Sequence, residues 1–400
     1  MNRILNITNL KDAKQELKKI GVSSQGIIVM APKALNNTIK LTDVHIGAAN
    51  ILKQEMLSIG GDAAVARGVV NGIEKISDVI ILGNTDNIKK LIKKLDHQTI
   101  FGLPEIKQDL KRFVSQMLQE EVHLIDCSGH KIDLQTTKIM GILNVTPDSF
   151  SDGNQYLEED RALEHAIQMI EDGADIIDIG GESTRPGAEK VTLKTELERV
   201  IPIIEKLSHQ TDIPISIDTN KAEVAQKAIR SGASIVNDVS ALRFDAKMIN
   251  VLAQYPNVPI ILMHMQGKPS NMQKAPFYKD VIEDILLFFK ERIEFCIDHG
   301  ISEERIIIDP GIGFGKRHID NMIILNKINE FKSLGYPVLL GASRKSFIGK
   351  IYDAESQDRL EGSLATTAIA ANNKIQIVRV HDVKSHKRFL QTYNSIEEIK

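Results

Sequence analysis

The sequence predicts an α/β protein, a (β/α)8 TIM barrel preceded by a small α/β N-terminal domain. From about residue 137 onward, eight short runs rich in Ile and Val alternate with longer amphipathic helical patterns. Continuous apolar runs are typical of parallel strands that helices cover on the outer face. The eight units occupy about 260 residues, close to the roughly 250 of a typical barrel.

The ends of these runs favour a closed barrel over an open, doubly wound sheet, which could also hold the same units. Polar or glycine-rich residues follow almost every run, and in a barrel all eight strand ends meet at one active-site face. The predicted strands are 139–143, 176–179, 213–217, 234–236, 258–263, 305–308, 338–340 and 375–380. Helical patterns lie between them, for example at 160–171, 221–230, 278–299 and 360–372.

Two domains are predicted, at 1–120 and 121–400. In the first, residues 27–30 and 79–82 resemble strands, whereas 43–59 and 86–95 resemble helices. This domain shows no catalytic constellation, and its role is left open. At the start of the second domain, runs at 122–125 and 131–134 flank a turn, which predicts a hairpin that closes the barrel floor.

Composition and charge restrict the class of protein. The chain has 400 residues, of which 42% are hydrophobic, and no run approaches the roughly 20 apolar residues of a membrane span. A net charge of -3 gives no electrostatic case for nucleic acid. No signal peptide is apparent, and Cys127 and Cys296 are expected to be reduced thiols, which favours the cytoplasm.

The first predicted strand ends at Asn144 and gives way to a polar loop around one aromatic residue, Phe150. Packing does not explain such a loop, and loops at strand ends are where chemistry usually lies. After the second strand, Thr184 offers a donor suited to an anion, although residues 180–187 also fit an ordinary turn between a strand and a helix. Asp218 and Asn237 end the next two strands and could face a planar heterocycle; alternatively, Asp218 caps the following helix.

Three later strand ends carry further candidates. The sixth begins at Asp309 and continues into a glycine-rich loop that carries Phe314. This loop departs from the Walker pattern at two positions, that of the first glycine and the one after the lysine. The seventh carries Lys345 and Ser346, which would open a helix whose free N–H groups attract anions. In the eighth, alternation places Arg379 and His381 on one face, as a clamp for phosphate oxygens. His264, after the fifth strand, is interpreted as a satisfied core residue.

Taken together, these stretches closely resemble dihydropteroate synthase. The resemblance covers about residues 122–395, in order, with no motif missing. The motifs are MGILNVTPDSFSD from Met140, DIGGESTRPG from Asp178, SIDT from Ser216, ND from Asn237, DPGIGFGK from Asp309, SRKS from Ser343 and RVHD from Arg379.

The resemblance implies a reaction and a role for each matching residue. A dihydropterin hydroxymethyl pyrophosphate condenses with p-aminobenzoate, giving 7,8-dihydropteroate and pyrophosphate in folate biosynthesis. It implies that the pterin is held by Asp218, Asn237, Asp309 and Lys345. It implies that Asn144 ligates Mg2+, and that the pyrophosphate contacts Asn144, Thr184, Arg379 and His381. It implies that aminobenzoate, and hence a sulfonamide, lies against Thr184, Pro186, Phe314 and Ser346. Catalysis is expected to involve Asp152, near the developing cation, together with Lys345, Arg379 and His381.

Alternatives remain open at this point. A pterin-binding methyltransferase shares the barrel and the roles of Asp218 and Asn237, but it would not need the first loop, residues 344–346, or Arg379 with His381. A class I aldolase that uses Lys345 as a Schiff-base nucleophile fits less well, and a pterin-binding scaffold without turnover is a third possibility. The family suggests a homodimer, and an archaeal-type methanopterin route could use a related pterin.

Overall fold

The structure is a computed structural model that describes residues 2–5, 7–118, 124–145, 155–183 and 191–399. The chain divides into two compact units, Met1–Glu121 and Val122–Ile399, each of which has its own core. Among the described residues, no helix is long and apolar enough to cross a membrane.

The first unit is built on a three-stranded antiparallel sheet with β3 in the centre. Its strands are β1 (Asn36–His45), β2 (Asp62–Val65) and β3 (Ile76–Asn84), in the order β1-β3-β2. Its helices are α1 (Leu10–Lys19), α2 (Ser24–Met30), α3 (Ile46–Ser58), α4 (Arg67–Val70), α5 (Thr85–Lys94) and α6 (Leu103–Leu118). Alternate residues of β1 and β3 are buried, so one face of the sheet supplies the core.

The strand predicted at 27–30 is wrong, because these residues belong to helix α2. Ser23 caps this helix by accepting a hydrogen bond from the Gly26 backbone, and a short apolar run alone does not distinguish a strand from a helix. The helix predicted at 43–59 begins late, since β1 continues to His45. The strand at 79–82 is confirmed within β3, and the helix at 86–95 is confirmed as α5, which ends one residue earlier, at Lys94.

The second unit is the predicted barrel. Its strands are β6 (Lys138–Asn144), β7 (Ile176–Gly180), β8 (Ile215–Asp218), β9 (Ile235–Asp238), β10 (Ile260–Met263), β11 (Ile306–Asp309), β12 (Leu339–Leu340) and β13 (Ile377–Val380). They follow the order β11-β10-β9-β8-β7-β6-β13-β12, and a parallel bridge between Ile308 and Val338 joins the two ends. The sheet is therefore closed, which excludes the open, doubly wound alternative.

Nine helices are described in this unit, and many of them pack their apolar residues against the outer face of the sheet. They are α7 (Gln155–Glu171), α8 (Leu193–Ser208), α9 (Ala222–Arg230), α10 (Met248–Gln254), α11 (Val281–Asp298), α12 (His318–Asn326), α13 (Ser346–Tyr352), α14 (Leu360–Asn372) and α15 (Val383–Glu398).

An apolar floor closes the barrel interior at the start of the strands. The hairpin of β4 (Leu124–Cys127) and β5 (His130–Asp133) packs against it, as the sequence predicted. The strand residues in this layer are Met140, Ile176, Ile235, Ile261, Ile307, Leu339 and Ile377. Side chains two residues further along a strand point to the same side. At those positions four of the strands carry polar residues, Asp178, Asn237, Asp309 and Arg379, so a polar layer lies directly on the apolar floor.

Candidate active site

Arg379 is the centre of the polar layer. Its Nε donates to Asp178 Oδ2 at 2.5 Å, and its Nη2 donates to Asp218 Oδ2 at 2.8 Å. Asn237 Nδ2 donates to the same Asp178 oxygen at 3.1 Å. Strands β7, β8, β9 and β13 are thus joined by one hydrogen-bond network inside the barrel.

Asp218 belongs to this network and does not cap the next helix. Its carboxylate faces Arg379, whereas the first turn of α9 is bonded by Asp245, whose Oδ2 accepts from the Ala222 backbone at 2.9 Å. Burial raises the pKa of Asp218 to about 7; Arg379 opposes this rise, and the charge of Asp178 adds to it. Asp218 therefore titrates close to neutral pH.

Asp309 and Lys345 are two further charged groups of the site, and each affects the pKa of the other. Asp309 Oδ1 accepts a hydrogen bond from the Gly311 backbone at 2.7 Å, which leaves Oδ2 toward the barrel axis. Burial raises the pKa of Asp309, and the Lys345 charge opposes that rise. Burial lowers the pKa of Lys345 to about 8, although Asp309 favours its charged form. The ammonium group donates to the Ile312 carbonyl and lies 4.5 Å from the centre of the Phe314 ring.

Two glycines leave space between these charged groups. A Cβ atom at Gly341 would lie 3.7 Å from Asp309 Oδ2 and 3.8 Å from Arg379 Cβ. One at Gly180 would lie 3.8 Å from Asp218 Oδ2 and 3.9 Å from Asn144 Oδ1. A methyl-sized group at either position would therefore lie at ordinary van der Waals distance from carboxylate oxygens, the Arg379 side chain and the Asn144 amide oxygen.

At the mouth of the barrel, the loops after β12 and β13 are bonded to each other. His381 Nδ1 and Ser343 Oγ share a hydrogen bond of 3.1 Å, in which either atom can be the donor. The backbone N–H of His381 donates to the same oxygen at 3.2 Å. Arg344 forms a two-pronged ion pair with Asp382. Ser346 is exposed and is the first residue of α13, where backbone N–H groups lack partners within the helix.

The loop after β11 is pressed against the backbone that follows β10. Gly311 and Gly315 have φ values of 69° and 60°, and a Cβ atom at either would collide with the carbonyl of His264 or of Gln266. Lys316 Nζ lies 2.9 Å from His264 Nδ1 and also donates to the Phe314 carbonyl at 3.1 Å. His264 is therefore a satisfied core residue, as the sequence suggested, and this packing fixes the position of Phe314.

Asp152, Thr184 and Pro186 lie outside the described residues. Of the other predicted site residues, the structure joins Asp218 and Arg379 directly, places Asn237 on the same network through Asp178, and places Lys345 beside Asp309 and Phe314. Asn144 borders the same space near Gly180.

Sequence reasoning missed Asp178 and the cluster of Glu182, Glu196 and Lys221. The Lys221 ammonium contacts both glutamates, and Glu196 is wholly buried, where it also accepts from Thr219 Oγ1 at 2.6 Å. The alternation of β7 could have revealed Asp178, because a strand that buries Ile176 on the floor must turn residue 178 inward as well. The glutamate cluster has no such pattern in the sequence.

Comparisons with known proteins agree on the barrel. A family model described as "Pterin binding enzyme" matches residues 140–381. The dihydropteroate synthase of Bacillus subtilis (strain 168) is 48% identical over 262 residues, which are 66% of this chain and 89% of the relative. The solved structure of Xanthomonas albilineans dihydropteroate synthase with 4-aminobenzoic acid is similar with a TM-score of 0.66 and 42% identity, over 69% of this chain and 99% of that one.

One relative extends the similarity into the first unit. A probable bifunctional folylpolyglutamate synthase/dihydropteroate synthase of Halobacterium salinarum is 39% identical over 377 residues, which are 94% of this chain and 45% of the relative. A match of that length is longer than Val122–Ile399 and must include residues of Met1–Glu121. The chain spans less than half of this relative.

Proposed function

Since the chain belongs to the pterin-binding enzyme family, as a dihydropteroate synthase, we propose that the polar layer of the barrel is its pterin site. The observation that carries this proposal is the set of buried carboxylates, amide and cations above an apolar floor, with space left at Gly180 and Gly341. Asp218, Asn237 and Asp309 would accept and donate hydrogen bonds along the polar edge of the pterin, and Lys345 would donate to it.

In the reaction, the bond between the pterin methylene carbon and its pyrophosphate oxygen breaks, and the aminobenzoate nitrogen forms a bond to that carbon. The nitrogen then loses a proton. Positive charge that develops at the methylene is stabilised by carboxylates, and negative charge on the leaving pyrophosphate by cations. We propose that Asp218 and Asp309, with Asp152, stabilise the positive charge at the methylene. We propose that Arg379, His381 and Thr184 stabilise the negative charge on the pyrophosphate.

Asn144 fits one ligand position of a Mg2+ ion. Its side-chain oxygen borders the pocket beside Gly180, and Mg2+ in such sites takes few protein ligands together with phosphate oxygens. The described residues contain no group of three or more His, Cys, Asp or Glu side chains suited to a metal, so the substrate would supply most ligands. When bound, Mg2+ would neutralise charge on the pyrophosphate.

We place aminobenzoate at the mouth, between Pro186 and Phe314, with its carboxylate near Ser346 and Thr184. The packing of Phe314 by the loop after β11 and the exposed position of Ser346 at the start of α13 support this placement. The proposal also includes a cytoplasmic homodimer; sedimentation of the purified protein would test the dimer.

Calorimetric titration tests the arrangement of the two substrates. We expect aminobenzoate to bind weakly alone and tightly once pyrophosphate, Mg2+ and pterin are present, because the pterin site is deepest. Equal affinity for aminobenzoate with and without the other ligands would contradict this arrangement. Borohydride trapping of a substrate adduct on Lys345 would instead support an aldolase-type reaction.

A further inference from the structure

Asp178 lies deeper in the barrel than the groups that it contacts. The side chain of Asp178 is 0% exposed, whereas the Asp218 side chain is 10% exposed and that of Arg379 is 19% exposed. A ligand that enters the pocket can therefore reach Arg379 and Asp218, but Asp178 lies behind them.

A single oxygen of Asp178 serves two other residues. Its Oδ2 accepts from Arg379 Nε at 2.5 Å and from Asn237 Nδ2 at 3.1 Å. Oδ1 of the same carboxylate is fully buried and has no hydrogen-bond partner in the described part of the chain. A buried carboxylate is costly unless it is paired, so the contact with Arg379 compensates for burying this charge.

Asp218 has two competing tasks. Its Oδ2 is bonded to Arg379 Nη2 at 2.8 Å, and the proposed function requires the same carboxylate to accept N–H groups from the pterin. When the pterin binds, the contact between Asp218 and Arg379 must be shared or released. The Nε contact to Asp178 is made at a different nitrogen and is out of the ligand's reach, so it can persist.

We propose that Asp178 is a positioning residue, which keeps the Arg379 guanidinium and the Asn237 amide in place while the pterin substrate takes over Asp218. This inference rests on the proposed pterin-binding role of Asp218. Without Asp178, Arg379 has Asp218 as its remaining carboxylate partner in the network. The pterin must then displace the Arg379 guanidinium from Asp218 in order to bind.

Asp178→Asn tests this role, with Ser216→Ala as the matched control. Ser216 is paired with Asp178 in the register of β7 and β8, is equally buried, and has an Oγ without a hydrogen-bond partner in the described residues. In titrations with the dihydropterin pyrophosphate, we expect Asp178→Asn to weaken binding about tenfold or more, from the loss of a charged hydrogen bond. Ser216→Ala should bind as the unaltered protein does.

A double-mutant cycle separates positioning from a general effect on the fold. Arg379→Lys keeps the charge but lacks the fork that contacts two carboxylates at once. In that background, Asp178→Asn should cost less than about threefold, because the two residues act together. An equal loss in both backgrounds, or no loss in the unaltered background, would overturn the proposal. If Asp178→Asn does not fold, Asp178→Ser, which leaves room for a water molecule, is measured in the same cycle.

Asp218→Asn distinguishes failure of this inference from failure of the proposed function. If Asp218→Asn leaves pterin binding unchanged, the proposed pterin site is wrong and the role of Asp178 falls with it. If Asp218→Asn weakens binding but Asp178→Asn does not, the site stands and only the positioning role is refuted. Steady-state kinetics should also show a higher KM for the pterin substrate in Asp178→Asn, with the KM for aminobenzoate unchanged.

Discussion

Asp309→Asn is expected to weaken pterin binding without disturbing the fold. Asp309 Oδ1 accepts from the Gly311 backbone at 2.7 Å, and Oδ2 points toward the space beside Gly341. In the variant, the amide oxygen can keep the bond to Gly311, so the amide NH2 replaces the oxygen that faces the ligand. An N–H group of the pterin would then meet a donor where it had met a charged acceptor.

The magnitude follows from that exchange. A hydrogen bond to a charged group contributes about 1.5–3 kcal/mol, which corresponds to roughly tenfold to a hundredfold in affinity. Calorimetric titration with the pterin measures the change, and thermal unfolding checks that the variant is folded. Asp245→Asn is the matched control, since both Asp245 oxygens accept from backbone N–H groups outside the pocket. Unchanged pterin affinity in folded Asp309→Asn would show that Asp309 stabilises its own turn and does not bind the pterin.

Three further predictions follow from the same geometry. Gly341→Ala should fold normally, because the added methyl group meets its neighbours at 3.7 Å or more, yet pterin affinity should fall about tenfold or more because the methyl group occupies ligand space; a titration that finds full affinity would show that the pterin lies elsewhere. The kcat/KM for the pterin should be highest between about pH 7 and pH 8. Asp218, with its pKa near 7, becomes protonated below that range, and Lys345, with its pKa near 8, loses its proton above it. A flat profile from about pH 6 to pH 9 would exclude both groups from binding. A chain that begins at residue 122 should retain turnover, because 66% of this chain matches the Bacillus subtilis relative over 89% of that relative's length. If the truncated protein is folded but does not bind the pterin, the first unit must contribute to the site.

Strand periodicity made the barrel predictable. All eight runs rich in Ile and Val are strands, because a buried parallel strand needs continuous apolar residues, and the polar residues after them meet at one end as expected. The first unit was harder to read. Its short apolar run at 27–30 is compatible with a strand or a helix. In the structure it is a helix, which the hydroxyl of Ser23 caps.

The site was predictable residue by residue but not contact by contact. Motifs identified Asp218, Asn237, Asp309, Lys345 and Arg379 as candidate site residues. The sequence pattern placed Arg379 on the same face as His381, as a clamp for phosphate oxygens, whereas in the structure its guanidinium contacts two carboxylates inside the barrel. That direction depends on the register of β13 against its neighbours and on the charges opposite it, neither of which can be read from one strand.

Pyrophosphate release by the full chain tests the central claim most directly. With a dihydropterin pyrophosphate, p-aminobenzoate and Mg2+ all present, the account predicts pyrophosphate release matched one to one by 7,8-dihydropteroate, identified by mass. Omission of either organic substrate should abolish both products. Folded protein that binds the pterin but yields neither product would contradict the assignment and leave a pterin-binding scaffold in its place.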